Sequence, residues 1–152
     1  MAAERYPHLK VEDPEVYDLI QRQIDVECST LKMIASESYA SFGVMEACGS
    51  IFTNKYAEGY PGARYYEGNE HPDALESLAI ERCKALFGCE HVNVQPYSGS
   101  PANSAVYRAL LTPGDKVMGV PVSDGGHLTH GWKVSFSGMD FQQVPYRPNQ
   151  ET

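Results

Sequence analysis

Four short stretches of the 152-residue chain carry residue types that could do chemistry. The first is Tyr97-Ser98-Gly99-Ser100-Pro101-Ala102-Asn103. Gly99 lets backbone N–H groups approach a ligand closely, and Ser98 and Ser100 add hydroxyl donors. A helix opening at Ser100-Pro101 offers free N–H groups and the positive end of its dipole to an anion. The pattern suits a phosphate cradle, and equally an ordinary Ser-Pro helix start. The second stretch is Gly125-Gly126-His127-Leu128-Thr129-His130-Gly131. Two glycines allow a tight turn that presents the His127 imidazole to a flat ligand; a packed or surface histidine is the alternative. His127 and His130, three apart, make too small a set for a metal site, and no metal is expected.

The third stretch, Asn54-Lys55-Tyr56-Ala57-Glu58-Gly59-Tyr60-Pro61-Gly62-Ala63-Arg64-Tyr65-Tyr66, has no amphipathic period. It reads as a structured loop, and loops carry function more often than cores do. Glu58 among tyrosines suits a general acid; a solvated carboxylate above packed rings is the plainer reading. The fourth is Ile34-Ala35-Ser36-Glu37-Ser38-Tyr39, which alone is a strand end or a cap.

The elements that must position these stretches alternate in type. Asp13 caps a helix with Pro14 at its first position, and Val16, Leu19, Ile20 and Ile24 recur at helical spacing. A second helix is predicted over 41–55, with Val44, Cys48, Ile51 and Phe52 on one face. A third is predicted with Asp73 as its cap, Glu76 three residues on and Gly88 at its end. A strand over 91–95 with alternating valines leads into the serine-rich turn and a fourth helix ending near Leu111. Strands follow over 116–120 and 141–146. Helix and strand in alternation imply βαβ units and a parallel sheet, an α/β class.

Composition bounds the partners. Twelve basic against twenty acidic residues give a net charge of -8, dispersed along the chain. Nucleic acids and anionic membranes need clustered Lys and Arg, so neither is expected. Cys28, Cys48, Cys83 and Cys89 form no CxxC pair and read as free thiols in a reducing compartment. No apolar leader or membrane-length run is present in the sequence, and a cytoplasmic protein is expected.

Taken together, IASES, NKYAEGYPGARYY, NVQPYSGSPAN and DGGHLTHG resemble serine hydroxymethyltransferase over about residues 13–146. The resemblance implies an aspartate-aminotransferase-like fold-type I large domain. Residues 1–61 would form an N-terminal helical arm and interface loop, and residues 62–152 the first part of the pyridoxal-phosphate-binding domain, with an incomplete, mainly parallel sheet. It implies pyridoxal 5'-phosphate as cofactor and tetrahydrofolate as co-substrate, with serine converted to glycine. By the same resemblance, Ser98, Gly99 and Ser100 would hold the cofactor phosphate and His127 would stack on its ring. Ser36 would contact the substrate amino acid, and Glu58 would move protons at the serine hydroxyl. Tyr56, Glu58 and Tyr66 would reach into the neighbouring subunit's site, so a homodimer or tetramer is implied. Val122, Gly126 and Leu128 would line the folate pocket.

Three positions depart from the family pattern: Ser38 in place of asparagine, Val122 in place of leucine, and Glu67-Gly68 in place of paired glycines. The family's cofactor lysine and its aspartate and arginine partners fall beyond the matched motifs. Lys10, Lys32, Lys55, Lys84, Lys116 and Lys133 all match non-catalytic positions. The expectation is a piece of the enzyme that is inactive alone. The alternatives are a non-catalytic subunit pairing with a full-length homologue, or a related pyridoxal-phosphate aldolase or transaldolase.

Overall fold

The computed structural model describes residues 5–149. The outer limits of the two expected regions, residues 1 and 152, lie outside them. Helices accompany a small parallel sheet, so the class is mixed α/β. The described residues divide into two units at the Lys55–Tyr56 junction.

The first unit is helical. A short helix, α1 (Pro7–Glu12), precedes α2 (Pro14–Ser29). Asp13 caps α2 as its sequence requires: its carboxylate accepts the Val16 N–H at 3.1 Å. The helix expected over 41–55 is instead two pieces. Ser41 caps α3 (Phe42–Cys48), and Gly49-Ser50 breaks the helix before a 3-10 turn, Ile51–Asn54. Glycine and serine are poor interior helix formers, and Ser50 takes an extended backbone.

The second unit opens with a tight antiparallel hairpin inside the tyrosine-rich stretch, β1 (Gly59–Tyr60) against β2 (Ala63–Arg64). The helix α4 (Glu70–Phe87) follows and ends on Gly88, whose φ of 63° is the left-handed cap that glycine favours. Its start corrects the sequence reading. Asn69, not Asp73, is the N-cap residue, and Asp73 lies inside the first turn with its carboxylate turned to Gly62 and Arg64. Residues 91–95 are no strand, although their burial alternates with the valines inward, because no neighbouring strand pairs with them.

The helix α5 (Gly99–Leu110) leads to β3 (Lys116–Gly119). A crossover with a 3-10 turn (Val122–Asp124) and a short helix, α6 (Phe136–Asp140), returns the chain to β4 (Gln142–Pro145). The strands pair in parallel, Lys116 opposite Gln142 and Gly119 opposite Pro145. Tyr107 of α5 sits between Phe136 and Phe141, with ring centroids 5.8 and 5.7 Å away. Val117 and Phe141 are the buried apolar residues here, and Thr129 and Ser137 in the crossover are fully buried polar ones. Among the described residues no helix is long and apolar enough to cross a membrane.

Candidate functional site

The helix α5 begins as an anion site should. Ser98 is the N-cap residue with an extended backbone, yet its hydroxyl makes no capping bond. The first intrahelical bond reaching back to it comes from Ala102 N–H, at 3.2 Å to the Ser98 carbonyl. The N–H groups of Gly99 and Ser100 precede that bond, and Pro101 has none to satisfy. No acidic residue occupies the first turn. A Cβ on Gly99 would meet nothing within 4 Å, so the space beside it is open.

One turn into α5, Asn103 reaches the glycine-rich crossover. Its side-chain N–H donates to Thr129 Oγ1 at 2.7 Å. Thr129, only 1% exposed, lies 2.8 Å through the same hydroxyl from His127 Nδ1. The Thr129 backbone N–H also donates to His127 Nδ1, at 3.2 Å. Three hydrogen bonds thus join the serine-rich helix start to the imidazole. His127 stands with His130 in an edge-on pair, ring centroids 5.9 Å apart.

The turn that sets this loop depends on two glycines. Gly125 has a φ of 93°, a left-handed conformation. A Cβ on Gly126 would overlap the Val120 carbonyl. Gly126, His127 and His130 line one side of a cavity of about 570 Å³, with Tyr107, Gly119 and Asp124. Val122 and Leu128 lie on the same crossover but outside that lining; Leu128 is 51% exposed. Arg147, beyond β4, pairs with both Asp124 carboxylate oxygens at 2.9 and 3.0 Å.

The tyrosine-rich stretch is held by one guanidinium. Arg64, its side chain 4% exposed, donates to Asp73 and Glu76 of α4 at 2.7 Å each. It also donates to the carbonyls of Ala57 and Gly59, at 2.7 and 2.9 Å. Glu76 beside it, with Asp73 next, raises the Arg64 pKa. The Gly62 N–H, at 2.9 Å, and then Arg64 hold the Asp73 carboxyl below its ordinary value. Gln95 joins the Gly59 carbonyl and Glu76, linking the hairpin to the segment that leads to Ser98. Anchored so, the loop turns Tyr56, Glu58 and Tyr66 outward; all three are exposed. The Tyr56 and Tyr66 rings lie 6.2 Å apart at 48°.

Ser36 belongs to the first unit. It sits exposed in a turn closed by Glu37 N–H to the Ile34 carbonyl at 3.0 Å, with Lys32 bridging Glu27 and Glu37. In the second unit the Asn103–Thr129 link joins the opening turns of α5 to His127, and Tyr56 lies beside Tyr66; Gly126 and His127 share a cavity whose lining does not include Ser98, Gly99 or Ser100. Sequence reasoning missed Asn103, Thr129 and Arg64. Both members of the first pair lay inside quoted motifs, but nothing in a spacing of 26 residues says that they touch.

A family model described as serine hydroxymethyltransferase matches residues 9–152. The chain is 68% identical over 140 residues to "Serine hydroxymethyltransferase 2" of Mesorhizobium japonicum, covering 92% of this chain and 32% of that protein. It is 58% identical over 143 residues to serine hydroxymethyltransferase of Desulfotalea psychrophila, covering 94% and 34%. The same figures hold for the Nitratiruptor relative. The chain spans about a third of the length of the curated relatives it matches.

Proposed function

The chain belongs to the serine hydroxymethyltransferase family, and from that premise we propose that it builds part of the site where serine gives its hydroxymethyl group to tetrahydrofolate. Glycine and 5,10-methylenetetrahydrofolate are the products. The carrying observation is the hydrogen-bonded join between the start of α5 and His127 through Asn103 and Thr129. It ties an anion-receptive helix end to an exposed imidazole.

The residues present fit pyridoxal 5'-phosphate. Two serine hydroxyls, two leading N–H groups, no acidic side chain in the first turn and open space at Gly99 suit a phosphate dianion. When bound, that cofactor supplies an electron sink for bonds at the substrate α-carbon. Ser98, Gly99 and Ser100 bind its phosphate, and the His127 ring covers one face of a flat heterocycle. Glu58 holds and moves a proton at the serine hydroxyl oxygen. Ser36 contacts the amino-acid substrate, and Tyr56 and Tyr66 close the site from a neighbouring subunit. Gly126 with Val122 and Leu128 receives the folate.

In this reading residues 1–61 are arm and interface loop, and residues 62–152 begin the cofactor-binding domain of a cytoplasmic homodimer or tetramer. Turnover belongs to the whole assembly, to which this segment contributes roles other than the cofactor lysine.

The test uses the full-length enzyme that carries this segment. Glu58→Gln should lower kcat for serine-dependent, tetrahydrofolate-requiring glycine formation by about 100-fold or more. Cofactor affinity should stay as in the parent, since that carboxyl does not hold the ring. His127→Ala should weaken cofactor binding itself. Unchanged turnover in Glu58→Gln overturns the proton role, and a parent enzyme without this activity overturns the reading.

A further inference from the structure

Thr129 is polar and fully buried, and its hydroxyl contacts only Asn103 and His127 among the hydrogen bonds described. Its hydroxyl has two acceptor lone pairs and one proton to place. Asn103 Nδ2 donates to the hydroxyl oxygen at 2.7 Å, so the Thr129 proton is not used toward Asn103 and is free to go to His127 Nδ1 at 2.8 Å. The Thr129 backbone N–H points at the same nitrogen. The Thr129 N–H is satisfied there only by an unprotonated Nδ1, which also lets the hydroxyl donate to it, so the neutral imidazole carries its proton on Nε2.

We propose that Asn103 and Thr129 are positioning residues: a relay from α5 that fixes both the ring plane of His127 and its Nε2–H tautomer. This deepens the reading under Proposed function and rests on it for the cofactor. Asn103 lies three residues after Ser100, on the same first turns of one helix. The start of α5 and the crossover that carries the imidazole are therefore tied together by one buried side-chain link. A flat ligand with an anionic arm meets both at once, without the imidazole having to be reoriented on binding.

The experiment has two readouts in the full-length enzyme. Without cofactor or substrate, the protonation of the two ring nitrogens of His127 is read from imidazole proton–nitrogen correlations on histidine-labelled protein. The parent and Thr129→Ser, which keeps the hydroxyl, should both show an unprotonated Nδ1. Thr129→Val removes the hydroxyl. Asn103→Asp replaces the donor by a carboxylate that draws the Thr129 proton to itself. Both should raise the share of the Nδ1–H form, against the Thr129 backbone N–H that still favours an unprotonated Nδ1. Cofactor affinity should fall about fivefold in each, the loss of one neutral hydrogen bond, and recover in Thr129→Ser. If neither Thr129→Val nor Asn103→Asp changes the tautomer, the relay is wrong; Asn103→Asp keeps this decisive should the valine variant not fold. If the tautomer shifts while cofactor affinity stays constant, the relay stands and His127 is not the cofactor's ring partner, which overturns the site reading instead.

Discussion

Gly99 and Gly126 both precede a residue proposed to meet a ligand, yet their surroundings differ: open space beside one, a backbone carbonyl against the other. At Gly99 an added methyl would meet open space. Within the protein alone, Gly99→Ala should be neutral or slightly stabilising, because alanine is the better helix residue. Its cost should appear only when a phosphate-bearing ligand needs the backbone N–H. At Gly126 the added methyl would strike the Val120 carbonyl, and no flexible side chain can give way. Gly126→Ala should destabilise the ligand-free protein by about 1–3 kcal/mol, the usual range for forced overpacking. Urea unfolding without cofactor, followed by cofactor titration, separates the two. Equal unfolding midpoints for both variants would contradict the geometry of the Gly126 turn.

Between elements, Arg64 decides how the tyrosine hairpin meets α4. It satisfies two carboxylates and two carbonyls from one buried side chain, a forked geometry that lysine lacks. The sequence signal at Asp73 was real but led to the wrong partner. A capping pattern of Asp with Glu three residues on was present, while the helix starts a turn earlier and both carboxylates serve Arg64. The pH dependence follows from Asp73, whose carboxyl is held below the ordinary 3.8, first by the Gly62 N–H and then by Arg64. A lowered folded-state value adds stability that is complete above the ordinary value and is lost as pH falls through the lowered one. In Arg64→Met the Gly62 bond remains but the charge partner is gone, so the acid loss of stability should move toward higher pH. Gln95 still holds the Gly59 carbonyl, but the freed Ala57 carbonyl should leave the 56–66 loop more open to proteolysis. Unfolding midpoints at several acid pH values, with limited proteolysis at neutral pH, provide the measurement. A variant with parental acid behaviour would mean that the guanidinium does not hold Asp73.

At the scale of the whole molecule, apolar surface exceeds what the described packing covers. Val117 and Phe141 are the buried apolar residues among those described, while Leu19, Phe42, Tyr65, Phe87, Tyr97 and Met139 are each more than 60% exposed. The parallel β3–β4 pair is two strands wide, so both outer edges carry unpaired backbone groups. Parallel sheets are ordinarily covered on both faces. The polypeptide of residues 1–152 prepared by itself should therefore self-associate, and sedimentation should give a mean mass that rises with concentration. A monomer that unfolds in one sharp transition at every concentration would show that this chain closes its own core.

What the sequence determined alone is local. Asp13-Pro14 starts α2, Gly88 ends α4, the serine-rich turn opens α5 (at Gly99, one residue ahead of the expected Ser100), and two β runs flank the glycine-rich crossover, because caps, left-handed glycines and alternation act over a few residues. The family was legible for the same reason, since its motifs are contiguous strings. Tertiary structure decided whatever depends on a distant partner. The valines at 92 and 94 alternate as a strand's do, but no neighbour pairs with them. Helix 41–55 breaks because Gly49-Ser50 outweighs the apolar period around it. Asn103 meets Thr129 across 26 residues, and Arg64 gathers Ala57, Gly59, Asp73 and Glu76. Hydrogen bonds are short-ranged and directional, so which donor meets which acceptor is fixed only once the chain has brought them within 3 Å or so of each other.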